Sequence, residues 1–287
     1  MSNGVRRIGF AYNPTIEAAV ELRERAAGWV AVRGLGQWAS PAADLTALVE
    51  HLPGTDVLVV LGGDGTFLRA ARAVIEVDVP LLGINVGKVG FLSKVEAGAM
   101  ERVLEQLTAG DYRLEARMAL EGLIHHGVPD GDLDAEPRRV VALNDVVVAR
   151  GSLARVARLA TDIDGSHLAT FVADGLVVAS PTGSTGYSFS AGGPILDPTA
   201  RNLVVTPIAG YLTTIRSVVV GPAAVVRCRV LAADEALVSI DGREDIPIAV
   251  GDVVEVRAIE RPVRLVEPTG SQPFWDLVRR KVELLPS

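Results

Sequence analysis

One short segment places a carboxylate inside a glycine turn. Residues 62–66 (GGDGT) follow the apolar run Val57–Leu61 and precede a helical pattern over residues 67–74. A strand, a glycine turn and a helix N-terminus bring backbone N–H groups together, which predicts an anion site. The carboxylate of Asp64 is unfavourable there unless it accepts a proton or binds a metal. The alternative interpretation is an ordinary turn, in which Asp and Gly are common.

A second segment, residues 180–194, offers many small polar groups. Between residues 180 and 193 it holds four serines, two threonines and four glycines. Such hydroxyls and bare backbone N–H groups could wrap a sugar, a base and a phosphate, and Tyr187 could stack or donate a hydrogen bond. The alternative is a flexible linker. Pro181, Pro194 and the aromatic residues Tyr187 and Phe189 favour an ordered binding loop instead.

The elements that must position these segments differ between the two parts of the chain. Up to about residue 110, strand-like and helical patterns alternate. The pattern predicts strands at 7–12, 30–32, 57–61 and 79–85, and helices at 15–29, 42–52, 67–74 and 100–107. Alternation predicts a parallel sheet with right-handed crossovers. Because ligands bind at the carboxyl ends of such strands, Asp64 and the loop 85–90 are expected at one edge.

The rest of the chain is mostly strand-like, from residue 114 to 262. Asp164-Gly165 and Asp241-Gly242 are typical of hairpin turns. An amphipathic helix is predicted after Pro273, and we expect it to return to the first domain. The predicted fold is an N-terminal Rossmann-like α/β domain with a parallel sheet, followed by an all-β sandwich. The predicted domains are residues 1–112, completed by 265–287, and residues 113–264.

Composition narrows the class of protein. The chain has 287 residues, 49% of them hydrophobic, and a net charge of −7. This charge disfavours general binding to nucleic acid or to an anionic membrane. The single Cys228 cannot form an internal disulfide, the N-terminus lacks the apolar stretch of a signal peptide, and no apolar run approaches the roughly 20 residues of a membrane span. We expect a cytoplasmic protein.

Several other patterns in the sequence are too weak to predict a site. Residues 34–39 match G-x-G-x-x-A but lack a strong strand before and a helix after them. Gly87-Lys88 is not part of a complete Walker pattern. The acidic residues between 130 and 136 are typical of a solvated loop, and the adjacent pair His125-His126 is not at metal-ligand spacing.

Three motifs, in this order, resemble those of the NAD kinase family. They are residues 62–66 (GGDGT), 143–145 (LND) and the block from Asp174-Gly175 to Pro194, which contains PTGST-x-YS and AGGP. GGDGT alone also occurs in 6-phosphofructokinases and in lipid kinases, whereas the third block is more specific. The resemblance covers the chain from about residue 7 to the C-terminal helix.

The resemblance implies phosphoryl transfer from ATP, or in some members polyphosphate, to the 2′-hydroxyl of the adenosine ribose of NAD, giving NADP. It also implies the two-domain fold, Mg²⁺ or another divalent cation, and a homodimer or homotetramer with sites at the subunit contact. A carboxylate such as Asp64 can accept the proton of the hydroxyl. Phosphoryl transfer otherwise needs alignment and charge neutralisation.

Site residues follow from the same resemblance. Asp64 matches the general base. The NAD-binding positions are Gly65, Asn144, Asp145, Arg155, Asp174, Thr185, Gly186, Tyr187, Ser188, Phe189 and Ser190. The donor-phosphate side is Gly62, Gly63, Thr66 and Arg69, and no protein metal ligands are predicted. Asp145, Gly186, Phe189 and Arg243 stand where Glu, Ala, Leu and Gln are usual, which bears on NAD affinity and donor choice.

Two other functions compete with this one. A lipid or sugar kinase of the same superfamily is disfavoured because the chain lacks a basic amphipathic helix and carries a loop suited to a dinucleotide. A non-catalytic NAD(P)-binding regulator is disfavoured because a binder does not need Asp64. The choices between ATP and polyphosphate, NAD and NADH, and dimer and tetramer stay open at this point.

Overall fold

The computed structural model describes residues 4–87, 90–127, 136–151, 156–211 and 213–283. The predicted acidic loop therefore lies mostly outside the described residues. The strands and helices in chain order are β1 (Arg7–Tyr12), α1 (Glu17–Val32), β2 (Gly36–Pro41), α2 (Leu45–His51), β3 (Val57–Leu61), α3 (Asp64–Ile75), β4 (Leu81–Asn85), β5 (Val95–Glu96), α4 (Met100–Ala109), β6 (Tyr112–Arg117), β7 (Leu120–His125), β8 (Arg138–Ala142), β9 (Asp145–Arg150), β10 (Ala157–Ile163), β11 (Ser166–Ala173), β12 (Gly175–Ala179), α5 (Tyr187–Ser190), β13 (Leu203–Ile208), β14 (Val218–Val220), β15 (Val226–Ala232), β16 (Ala236–Ile240), β17 (Glu244–Ile248), β18 (Val253–Ala258), β19 (Val263–Pro268) and α6 (Phe274–Glu283).

The chain folds into two compact units, Met1–Ala116 with Val263–Ser287, and Arg117–Pro262. The first is built on a sheet of order β2-β1-β3-β4-β19-β6, with β5 beside β4. β1 pairs in parallel with β2 and β3, and β4 with β3, β5 and β19. The predicted parallel sheet is confirmed.

The central strand β3 is buried along its whole length. Val57, Val59 and Leu61 pack in one core with side chains from α1 and α4. Leu58 and Val60 alternate with them and are also fully buried, on the opposite face. Burial on both faces explains why β3 is an unbroken apolar run.

One predicted strand, at residues 30–32, is wrong. These residues form the last turn of α1, in which Val30 is fully buried in the core of the unit. The second strand is instead β2, Gly36–Pro41, at the edge of the sheet and largely exposed. Glycine, glutamine, serine and proline dominate it, so neither burial nor β-propensity marks it in the sequence.

The second unit is a sandwich of two antiparallel sheets. Their orders are β11-β10-β15-β18-β7-β8 and β14-β13-β12-β9-β16-β17. One core joins them, with Leu120 and Val226 from the first sheet packed with Val146 and Leu176 from the second. The predicted sandwich is therefore confirmed.

Two hairpin turns are also confirmed. Asp164-Gly165 joins β10 to β11 and Asp241-Gly242 joins β16 to β17, and all four residues have positive φ. This is the backbone of the tight turns that suit the twist of antiparallel strands.

The C-terminal helix α6 belongs to the first unit, as predicted. Leu277 is buried, and the ring of Phe274 lies 6.0 Å from that of Phe91 between centroids. Within the described residues, no helix is long and apolar enough to cross a membrane. His125 is buried in the second unit and His126 is exposed, with its Nδ1 2.8 Å from the Asp252 carboxylate.

Candidate functional site

The glycine turn after β3 leads directly into a helix that begins at Asp64. The N–H groups of Thr66 and Phe67 both donate to the carbonyl of Gly63, at 2.9 and 3.0 Å. Helix α3 therefore starts three residues before the predicted Phe67. The positive end of its dipole lies at the turn and favours the Asp64 carboxylate in the first helical position.

Three consecutive backbone N–H groups hold the Asp64 carboxylate. Leu92 and Ser93 donate to Oδ1 at 3.0 and 3.1 Å, and Phe91 donates to Oδ2 at 2.9 Å. We call residues 91–93 the clasp. Charge-assisted bonds of this kind are about twice as strong as neutral ones, so the carboxylate is fixed in orientation.

The clasp leaves Asp64 able to accept one more hydrogen bond. A carboxylate has about four acceptor positions, two on each oxygen. Among the described residues, two N–H groups donate to Oδ1 and one donates to Oδ2. The remaining position on Oδ2 can receive a hydroxyl proton.

Gly90 allows the clasp to approach Asp64. A Cβ atom at this position would lie 2.0 Å from Oδ1 of Asp64, which no side chain can occupy. The Gly90 N–H donates to the carbonyl of Ser93 at 3.2 Å and closes the loop on itself. The loop after β4 and Asp64 thus meet at one edge of the sheet, as the sequence predicts.

The other predicted residues of this unit surround the same turn. Gly62 and Gly63 precede Asp64, Thr66 is buried beneath the turn, and Arg69 is exposed on α3. Asn85 ends β4, where its Oδ1 accepts the Gly87 N–H at 2.7 Å. Lys88 lies outside the described residues.

A second aspartate makes the same kind of contact in the second unit. The carboxylate of Asp241 accepts the N–H groups of Leu143, Asn144 and Asp145, at 3.1, 2.7 and 3.2 Å. It lies in the turn between β16 and β17 with a φ of +51°. Asp241 therefore fixes the backbone of the Leu-Asn-Asp motif.

A cavity of about 330 Å³ lies beside this motif. Its lining residues are Asn144, Asp145, Val147, Ala149, Tyr187, Leu237, Ser239, Asp241, Gly242 and Asp245. The Oδ1 atom of Asn144 is buried and has no hydrogen-bond partner within the part of the chain that the structure describes. A buried acceptor without a partner is costly, which is typical of an atom that binds a ligand.

Two buried carboxyl groups of this site, those of Asp145 and Asp241, have raised pKa values. Burial, and then the neighbouring Asp241, raise the pKa of Asp145 to about 7. Burial also raises the pKa of Asp241 above its ordinary range, although its backbone N–H donors and Arg243 oppose the rise. Near neutral pH, Asp145 can therefore donate or accept a proton in a hydrogen bond.

The small-polar segment is ordered and packs against the Leu-Asn-Asp motif. It forms a 3₁₀ turn at Gly183–Thr185 and the short helix α5. The Ser180 hydroxyl donates to the Leu143 carbonyl at 2.6 Å. A Cβ atom on Gly183 would lie 2.2 Å from the Asn144 carbonyl oxygen, so only glycine fits there.

The predicted residues of this segment differ in position. Tyr187 lines the cavity, and Gly186 lies close to Asn144 and Asp145. Thr185 is partly buried and its hydroxyl donates to the Thr182 carbonyl, whereas Phe189 and Ser190 are exposed. Ser188 is fully buried, with its hydroxyl 3.3 Å from that of Thr206.

The remaining predicted contacts lie further along the unit. Asp174 forms an ion pair with Arg150, with 2.7 Å between Oδ1 and Nε. This pair neutralises the charge of Asp174. Arg155 lies outside the described residues.

Sequence reasoning missed Gly90, Asp241 and Arg117 as parts of the two sites. Arg117 is almost fully buried and donates to the Thr182 hydroxyl at 3.3 Å. The Asp-Gly pattern of Asp241 indicated only a turn, and Gly90 was marked only as part of the loop 85–90. Only the folded chain brings each of them to its partner.

The family models that match this chain and its curated relatives belong to one and the same family. The ATP-NAD kinase N-terminal domain matches residues 31–112 and the ATP-NAD kinase C-terminal domain matches residues 143–272. An NAD kinase of Geotalea daltonii is 38% identical over 272 residues, 92% of this chain and 93% of that protein. An NAD kinase of Syntrophotalea carbinolica is 36% identical over 288 residues, 97% of this chain and 98% of that protein.

Two solved structures share the fold. The yeast NADH kinase complexed with NADH matches with a TM-score of 0.82 at 24% identity. The match covers 99% of this chain and 88% of the yeast chain. The NAD kinase from Archaeoglobus fulgidus in complex with ATP matches with a TM-score of 0.76 at 24% identity. The match covers 98% of this chain and 100% of the A. fulgidus chain.

Gly90→Ala is expected to break the clasp. Since the new Cβ would overlap Asp64 Oδ1, the loop must move, and we expect stability to fall by roughly 1–3 kcal/mol. Amide hydrogen exchange at residues 91–93 should become faster. The control is Gly98→Ala, because a Cβ there meets nothing within 4 Å. Equal melting temperatures and equal exchange for the two variants would contradict the role of the clasp.

Asp145→Asn is expected to change how stability depends on pH. The Asp145 pKa rises from 3.8 to about 7 on folding. Between these pH values the folded chain binds more protons than the unfolded chain. The free energy of unfolding therefore falls as pH rises through that window. Asp145→Asn has no carboxyl group at this position, so its stability does not fall for this reason as pH rises. Its stability relative to the unchanged protein should increase from pH 4 to pH 8 by on the order of 2–4 kcal/mol.

Urea unfolding at several pH values measures this difference. Asp245→Asn is the matched control, since Asp245 lines the same cavity but is exposed. A stability difference for Asp145→Asn that does not vary with pH would show that burial does not raise the pKa of Asp145.

Proposed function

The chain belongs to the NAD kinase family, and from this premise we propose that it transfers a phosphoryl group from ATP, or another phosphate donor, to the 2′-hydroxyl of the adenosine ribose of NAD, giving NADP. The observation that carries the proposal is the Asp64 carboxylate, which three backbone N–H groups hold at a helix N-terminus. One acceptor position on Oδ2 is left by the residues that the structure describes. The relatives named as NADH and NAD kinases, solved with NADH and with ATP, support the two ligands.

Asp64 acts as the proton acceptor in this proposal. A ribose hydroxyl is a weak nucleophile until its proton has an acceptor. As the oxygen–phosphorus bond forms, the proton passes to Oδ2, the bond to the leaving phosphate breaks, and ADP departs when ATP is the donor. The clasp holds the carboxylate so that no reorientation accompanies the transfer, which is what a reaction governed by alignment requires.

Asn144 and Asp145 hold NAD in this account. The buried Oδ1 atom of Asn144 needs a donor, and ribose and amide groups of NAD can supply one. Asp145 is one methylene shorter than the usual Glu, and its raised pKa allows it to donate as well as accept. Tyr187 adds an exposed ring at the cavity, on which a base can stack.

The donor phosphates are proposed to lie at the glycine turn, with Mg²⁺ bound to them. Among the described residues, no group of three or more His, Cys, Asp or Glu side chains is arranged to hold a metal ion. Mg²⁺ needs only one or two carboxylates in addition to substrate phosphates, so the residues fit a metal that arrives on the donor. When bound, it neutralises phosphate charge. Arg69, exposed on the same helix, adds positive charge.

Two further properties belong to the proposal. A homodimer or homotetramer is proposed on the family resemblance alone. A cytoplasmic location is supported by Cys228, which is buried and unpaired with another cysteine, because structural disulfides are rare in reducing compartments.

The direct test is an assay for NADP with ATP, NAD and magnesium. Asp64→Asn should still bind NAD but turn over at least about a hundredfold more slowly. Because this change also weakens the clasp, Gly90→Ala serves as a comparison that keeps the carboxylate. Asp64→Asn should be the slower of the two, and removing magnesium with EDTA should stop the unchanged enzyme.

Each alternative gives a different result. Equal losses of turnover in Asp64→Asn and Gly90→Ala would mean that Asp64 only holds the clasp. Full activity of Asp64→Asn would mean that Asp64 takes no part in the reaction. No NADP with either ATP or polyphosphate would favour a non-catalytic NAD-binding regulator. Parallel assays with polyphosphate and with NADH determine donor and acceptor choice.

A further inference from the structure

We propose that the C-terminal segment, β19 and α6, positions the Asp64 carboxylate for catalysis by anchoring both ends of the clasp. This inference rests on the proposed function of Asp64. It assigns positioning roles to Lys94, Glu267 and Phe274, none of which belongs to the motifs that identify the family in the sequence. All of these residues lie in the first unit.

The first anchor is a buried ion pair. Nζ of Lys94 lies 2.6 Å from Oε1 of Glu267, and the two side chains are only 7% and 6% exposed. Lys94 directly follows Ser93, which donates to Asp64. Glu267 is on β19, which pairs with β4 within the sheet. The ion pair therefore attaches the end of the clasp to a strand of the sheet.

Burial makes this attachment stiff. Charges in a low-dielectric interior attract each other strongly, and removal of one partner leaves the other charge without compensation. The strand that follows, β5, has only two residues. The clasp is thus a short loop whose exit depends on a side-chain contact as well as on the backbone.

The second anchor is aromatic and acts on the other end of the clasp. The ring of Phe91 lies 6.0 Å from that of Phe274, and Nζ of Lys281 lies 5.0 Å from the Phe91 ring centroid. Both partners are on α6. Contacts of this kind each stabilise a geometry modestly, and here they fix the residue whose N–H binds Oδ2 of Asp64.

The consequence for catalysis follows from the role of Oδ2. The N–H groups of the clasp set the orientation of the carboxylate. A shift of the clasp would therefore turn the carboxylate and move the acceptor position of Oδ2 away from the hydroxyl. Misplacement of a reacting group by about 1 Å can lower a rate by as much as a hundredfold. Ground-state binding of NAD is assigned mainly to Asn144 and Asp145, whereas proton transfer depends on the bond from the 2′-hydroxyl to Oδ2 of Asp64. Loss of an anchor should therefore lower kcat and leave the KM for NAD nearly unchanged.

Glu267→Gln tests the first anchor. It keeps the shape of the side chain and removes its charge, and we expect kcat to fall about tenfold to a hundredfold with the KM for NAD within about twofold of its original value. Amide exchange at residues 91–93 should become faster. The matched control is Asp78→Asn, which removes an exposed ion pair between Arg264 on the same strand and Asp78, and which should change neither readout.

A double variant guards against a misfolded single variant. Lys94→Met with Glu267→Met removes both charges together, which buried ion pairs commonly tolerate. We expect it to fold and to remain slow in kcat. Phe274→Ala should likewise lower kcat with little change in the KM for NAD.

Three results would overturn the inference. The first is a kcat within about twofold of the original in the double variant. The second is unchanged amide exchange at residues 91–93 in Glu267→Gln. The third is an equal fall in kcat in Glu267→Gln and Asp78→Asn. Amide exchange needs no turnover, so it separates failure of the anchor from failure of the proposed function. If no NADP forms but Glu267→Gln still speeds exchange, the anchor stands and only the reaction assignment falls.

Discussion

The structure depends on one kind of contact, an aspartate carboxylate that accepts three consecutive backbone N–H groups. Asp64 binds the N–H groups of the clasp in the first unit, and Asp241 binds those of the Leu-Asn-Asp motif in the second. Backbone N–H groups in a loop otherwise need water, and a loop held by water is mobile. A carboxylate satisfies three of them at once. In each unit, the loop that carries the proposed site residues becomes part of the fixed framework.

The two carboxylates differ in what remains available to a ligand. Asp64 is partly exposed, and the described part of the chain leaves one acceptor position at Oδ2, which suits it to proton acceptance. Asp241 is buried, and burial raises its pKa together with that of Asp145. Asp241 fixes the backbone of Asn144 and Asp145, whose side chains line the cavity. In the proposed function, the same contact supports a reactive group in one unit and a binding group in the other.

The sequence predicts features whose causes are local. The apolar run of β3, the glycine turn after it and the Asp-Gly hairpins follow from burial and backbone freedom of neighbouring residues. Edge strand β2 was missed because exposure removes its pattern. The clasp joins residues 27–29 apart, the Asp241 contacts 96–98, and the Lys94–Glu267 pair 173. No local pattern encodes such pairs, so they become visible only in the folded chain.

The most direct measurement is a crystal structure of the chain with NAD bound. We expect Oδ2 of Asp64 to lie within hydrogen-bond distance of the 2′-oxygen of the adenosine ribose, while the N–H groups of residues 91–93 still bind the carboxylate. A 2′-hydroxyl bound to another side chain, or a carboxylate turned away from the clasp, would contradict it.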